Sequence, residues 1–98
     1  MSQWLPRFFR IEVIDGYGSI SISGAGGLAS SVGVIPPDGA KYDITGVDGD
    51  GFVLYFGDDV TGNVNMEVNA QIHDTHSVVI SDASKDGTYK VKIWFGNW

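Results

Sequence analysis

Cysteine is absent from this 98-residue chain, so neither a disulfide nor a thiolate zinc site can supplement its core. A chain this short encloses a single core, and contacts with other copies are the natural supplement. Long apolar runs are missing as well, and Pro6, Arg7 and Arg10 break up the first apolar residues. The expectation is therefore no membrane-spanning helix and no signal peptide, and a soluble protein made in a cytoplasm. Basic residues are scarce: six Lys and Arg face twelve Asp and Glu, a formal charge of -6. That balance repels phosphate backbones and anionic lipid, so neither nucleic acid nor a membrane is the expected partner.

Glycine and aromatic residues are plentiful, with 14 Gly, five Phe, four Tyr and three Trp, which favours strands and tight turns over long helices. The few cations are unevenly placed. Arg7 and Arg10 lie near the start and Lys85, Lys90 and Lys92 near the end, with only Lys41 between. If the first and last strands lie side by side, they form a small basic and aromatic face against an acidic body. Such a face suits the acidic flank of an identical copy or of a larger partner; the plainer reading is scattered solvating charge.

The clearest strand is Asn63 to Ile72, where Val64, Met66, Val68, Ala70 and Ile72 alternate with polar residues. Thr88 to Phe95 repeats the rhythm, with Tyr89, Val91, Ile93 and Phe95 on one face and Lys90, Lys92 and Trp94 on the other. His76 to Ser81 carries the continuous run Val78, Val79, Ile80, read as a strand buried on both sides or at a sheet crossing. Lys41 to Val47 and Phe52 to Phe56 flank Asp48-Gly49-Asp50-Gly51 and should form an antiparallel hairpin, with Phe52, Leu54 and Phe56 sharing one face and Val53 and Tyr55 the other. Phe8 to Ile14 and Ser19 to Ser23, joined by Asp15-Gly16-Tyr17-Gly18, suggest a second hairpin, and Leu28 to Val34 a further strand. Pro36-Pro37 removes two ladder donors, so that segment should cross between sheets. The sum is an all-β fold, an antiparallel β-sandwich of seven or eight short strands, Ig-like or jelly-roll-like. It forms one domain over residues 1–98, with residues 1–7 as an N-terminal arm.

Reactive constellations are thin. Asp48, Asp50 and Gly51 imitate the start of a calcium loop, but hydrophobic strand residues follow where further oxygen ligands are needed, and an Asp-Gly hairpin turn explains them. His73, Asp74 and His76 are the one cluster with catalytic or transition-metal chemistry, yet residues three apart on a strand face opposite sides and no third His completes a site. No serine sits in a nucleophile elbow, and Gly24-Ala25-Gly26-Gly27 lacks the Lys-Ser/Thr and helix of a phosphate cradle. No catalytic site, resident metal or cofactor is expected. The aromatics near the ends stand out instead. Trp94 should point to the wet face of its strand, where burial by the N-terminal arm, burial by another subunit and stacking on a sugar ring are the competing accounts.

The order Ser31 to Pro37, Ala40-Lys41-Tyr42-Asp43-Ile44, Val47 to Gly51, then Ser77 to Ser81 before Asp86-Gly87-Thr88-Tyr89-Lys90-Val91 resembles small all-β virion structural proteins of tailed bacteriophages. The likeness spans about two-thirds of the chain on generic turn chemistry. It implies a capsid decoration (cement) or neck and tail accessory protein in the virion, a homo-oligomer that also contacts a larger capsid or tail protein. Trp4, Arg7, Phe8, Phe9, Arg10, Trp94 and Trp98 are the expected interface residues. The alternative is a lectin-like or receptor-binding β-sandwich module. A third reading is a small acidic inhibitor or immunity protein.

Overall fold

Period-two alternation does become strands throughout. The computed structural model describes residues 3–23, 27–72 and 75–97. Eight strands follow one another: β1 (Gln3–Val13), β2 (Gly18–Ser23), β3 (Gly27–Ile35), β4 (Lys41–Asp48), β5 (Val53–Thr61), β6 (Val64–Ile72), β7 (Thr75–Ser81) and β8 (Gly87–Asn97). They form two four-stranded antiparallel sheets, ordered β1-β8-β3-β6 and β2-β7-β4-β5. The hydrogen-bonded pairs are nested: β1 with β8, β2 with β7, β3 with β6 and β4 with β5. A ribbon doubled back at the β4–β5 turn and then rolled up has this pairing, which makes the sandwich a jelly roll.

The core lies between the sheets and is built from the inward half of each alternation. In β8 these are Tyr89, Val91, Ile93 and Phe95, and in β7 His76, Val78 and Ile80, all buried. Tyr42 and Tyr89 meet edge to face across the core at 5.4 Å, and each hydroxyl donates to a backbone carbonyl, of Gly62 at 2.9 Å and Lys85 at 2.7 Å respectively. Burial, and then the neighbouring Tyr89, push the Tyr42 phenol up to about 12.

Several expectations need correction. The β1 ladder begins at Gln3 opposite Asn97, so residues 3–7 belong to the sheet and are not a free arm; Met1 and Ser2 lie outside the described residues. Pro6 is tolerated because β1 is an edge strand. The Asp15-Gly16 turn is tight, with the Ile14 and Tyr17 amides and carbonyls bonded reciprocally at 3.0 and 3.2 Å, yet it does not make a hairpin. It carries the chain from one sheet to the other, Asp15 and Gly16 taking φ of 54° and 77° and donating their amides to the Asp86 carboxylate. Those two amide bonds, Gly16's first, hold the Asp86 carboxyl below the usual carboxylate range. Gly18 completes the crossing, because a Cβ there would collide with the Glu12 carbonyl of β1. The Pro36-Pro37 segment crosses between sheets as expected, joining β3 to β4. Gly46 and Val47 of β4 pair with Tyr55 and Val53, leaving Leu54 as an extra residue in β5, so Leu54 and Tyr55 both pack on the core instead of taking opposite faces. Strand β7 is buried on its inner face only, Val79 being half-buried on the outer one.

His76 is fully buried. Its Nε2 lies 3.3 Å from the Tyr55 hydroxyl, and its ring meets Tyr55 and Phe95 edge-on. Its Nδ1 has no hydrogen-bond partner among the described residues. Burial holds its pKa below the ordinary histidine value. The unfolded chain therefore binds a proton near pH 6.5 that the folded chain refuses until lower pH. Its contribution to stability is full above about pH 6.5 and is lost as pH falls towards the folded value. Urea titrations across that window should show stability falling with acid, and His76→Phe should flatten the slope; an unchanged slope would mean the imidazole does not set it.

Candidate functional site

The outer face of the first sheet gathers aromatic, amide and cationic side chains around one groove. Register defines three rows across it. Pro6, Trp94, Ser31 and Glu67 form one, Phe8, Lys92, Gly33 and Asn65 the next, and Arg10, Lys90 and Ile35 the third. A bulge at Ser30 sets this phase in β3, turning Ser31, Gly33 and Ile35 outward while Val32 and Val34 stay buried. The Ser30 hydroxyl donates to the Trp94 carbonyl at 3.4 Å, tying the bulge to β8.

A groove of about 880 Å³ runs over the second and third rows and reaches Trp94 of the first, within the roughly 300–1,000 Å³ common for ligand sites. Its lining includes Phe8, Arg10, Gly33, Ile35, Asn63, Asn65, Lys90, Lys92 and Trp94. Gly33 leaves a gap between Lys92 and Asn65, and Phe8 is 72% exposed. The Lys92 ammonium lies 5.6 Å from the Phe8 ring centre and 5.0 Å from that of Trp94, near enough to both π-faces to be held by them. The surface thus offers two aromatic rings, two amides and three cations, and no acidic side chain is among its lining residues.

The expected contact residues divide. Phe8, Arg10 and Trp94 gather here, and the pairing of first and last strands does create a basic, aromatic face. Phe9, although it borders the groove, packs its side chain on the core, and Arg7 shares its inward phase, its guanidinium 5.4 Å from the Phe9 ring and 6.0 Å from that of Phe95. Trp4 lies in β1 opposite Gly96, its side chain outside the described set. Trp98, His73, Asp74 and the 24–26 segment lie outside the described residues. Sequence reasoning missed Gly33, Ile35, Asn63 and Asn65, because nothing local says that β3 and β6 complete this sheet.

The acidic turns behave differently. Asp48 Oδ1 accepts the amides of Asp50 and Phe52, both at 2.9 Å, which closes the β4–β5 turn on itself. Asp58 and Asp59 instead meet Asp43, their oxygens within 4.8 Å of one another, where a register shift sets two β5 residues against one of β4. The Asp59 amide donates to Asp43 Oδ1 at 2.8 Å, and Lys41 lies 3.7 Å from Asp59. A side-chain hydrogen bond with Asp43, then the charges of Asp59 and Asp43, raise the Asp58 carboxyl above its ordinary value. This is a crowded acidic bulge, on the sheet opposite the groove and its three cations.

No protein-family model matches the chain, and no curated protein matches it either. Among solved structures it is similar to a carbohydrate-binding module, CBM36, in complex with calcium and xylotriose, at 14% identity with a TM-score of 0.39. That match covers 90% of this chain and 76% of the other.

Proposed function

We propose that this chain is a non-catalytic, lectin-like binding module whose groove on the first sheet takes a short sugar chain. One observation carries the reading: an exposed Phe8 ring, a half-buried Trp94 ring and two exposed amide side chains share one trough on a sheet face. Sugar rings present apolar C–H faces that stack on aromatics and hydroxyls that pair with amides, which is what Phe8, Trp94, Asn63 and Asn65 offer. Jelly rolls serve as viral coat and as lectin domains alike, so the fold by itself favours neither reading.

Gly33→Val provides a clean test. A Cβ at Gly33 would meet nothing nearer than Asn65 Oδ1 and the Val64 carbonyl, each at 3.6 Å, so a side chain fits without displacing the strand. Valine suits a strand, so the melting temperature should hold or rise. The trough would be filled, and binding to the oligosaccharides selected on a glycan array should disappear. Trp94→Ala should weaken the same binding about tenfold, the loss of roughly 1.4 kcal/mol of stacking and contact. Unchanged affinities in both variants would remove the groove from the account.

A second reading, a virion structural protein assembling with copies of itself and with a larger shell, has its own support. Phe52, Val53 and Phe56 are mostly exposed on and beside β5, an edge strand, and Val47 and Val79 are half-buried on the same sheet. Exposed apolar edges favour strand-to-strand association. In the same preparations, concentration-dependent oligomers abolished by Phe56→Ser, with no glycan bound, would favour that reading.

A further inference from the structure

Resting on the reading that the groove holds a sugar chain, we propose that its ligand is an anionic oligosaccharide whose acid groups pair with Arg10, Lys90 and Lys92. Three of the six cations of a chain with net charge -6 sit on two adjacent strands around one trough, and no acid lines it. Arg10 and Lys90 are direct cross-strand partners. Like charges so placed repel, and neither residue is in an ion pair: among the described residues the one ion pair is Lys41 with Asp59, on the other sheet. Glu12, next along the same face of β1, accepts the Thr88 hydroxyl at 2.8 and 3.1 Å and forms no ion pair with either cation. Local rules broken without a structural return are characteristic of functional sites, and an incoming anion relieves this repulsion.

Lys92 ties the charge to the platform. Its ammonium lies over both aromatic rings, so a sugar entering the trough meets a cation on the aromatic faces themselves, and an acid group on that sugar can draw the ammonium away from them. Carboxylate and sulfate groups both form charge-assisted bonds with such donors. A nucleic acid strand fits less well. Its regular phosphates would need a longer basic track, and beyond the groove they would meet the acidic remainder of the molecule.

Calorimetric titration of the whole chain with galacturonate hexamer, a carrageenan-derived sulfated hexamer, cellohexaose and oligothymidylate tests this. At low salt at least one acidic hexamer should bind ten or more times tighter than cellohexaose. That preference should shrink at about 0.5 M salt, where screening is strong. Arg10→Gln with Lys90→Gln should cut the affinity for the acidic hexamer at least tenfold, while the melting temperature stays level or rises because a repulsive pair is gone. Whichever acidic hexamer binds identifies the acid group. Equal or tighter binding of cellohexaose overturns the anionic ligand and leaves the sugar reading standing. No binding of any sugar overturns both. Tighter binding of oligothymidylate at equal salt replaces the sugar with a nucleic acid.

Discussion

Gly46→Ala should leave the protein largely unfolded. Gly46 is buried in β4 without a positive φ, so space and not backbone strain decides the outcome: a Cβ there would collide with the Tyr55 ring. The ring has nowhere to retreat. It is 7% exposed, its hydroxyl meets His76, and the neutral phenol is favoured, burial having raised its pKa. Overpacking by one methyl commonly costs about 1–3 kcal/mol where neighbours can shift, and a collision with a confined ring should exceed that range. A small domain has about 5–15 kcal/mol in total. Urea denaturation should show a midpoint collapsed towards zero. The mechanism has its own control: in Gly46→Ala combined with Tyr55→Ala, the methyl has room, so the double variant should be more stable than the sum of the single losses predicts. Strict additivity would mean that the two residues do not compete for the same volume.

Tyr89→Ala should come next in severity, at about 3–5 kcal/mol, the range for deleting a large buried aromatic. Tyr89 is fully buried, abuts Tyr42 at an interplanar angle of 82°, and uses its hydroxyl to hold the Lys85 carbonyl in the turn before β8. Tyr89→Phe separates ring from hydroxyl. It keeps the ring contact and gives up one hydrogen bond, so about 1 kcal/mol should be lost. The two variants should therefore differ several-fold in their shift of the urea midpoint. If they unfold alike, the hydroxyl and not the ring holds the sheets together at this point.

Which parts of this were readable beforehand follows from the range of each physical signal. The faces of β8 were legible because Tyr89, Lys90, Val91, Lys92, Ile93 and Trp94 alternate without a break, and a strand has only two faces. The same rule separates Phe8 from Phe9: being adjacent, they cannot serve one surface, and only Phe8 lies open on the outer face. Bulges escaped the reading. An extra residue at Ser30 or at Asp58-Asp59 carries no distinctive composition, yet it re-aims everything after it. Asp15-Gly16 shows a different limit, since one turn chemistry serves both a hairpin and a corner, and the choice falls to Gly18 and the distant Asp86. The groove was half legible. Its cations and Trp94 stood out at the chain ends, whereas the Gly33 floor and the Asn65 rim come from strands brought in by the topology of the whole chain.

The pairing of β1 with β8 also decides how the molecule meets a pull. Residues 3 and 97 sit opposite one another at the same extremity of the sheet. Tension applied between them acts across the strands, along the direction of the ladder's bonds, and strains one hydrogen-bonded pair at a time instead of the whole ladder together. A tether through these ends would peel the outermost strand open like a zipper, beginning far from Arg10 and moving towards the groove.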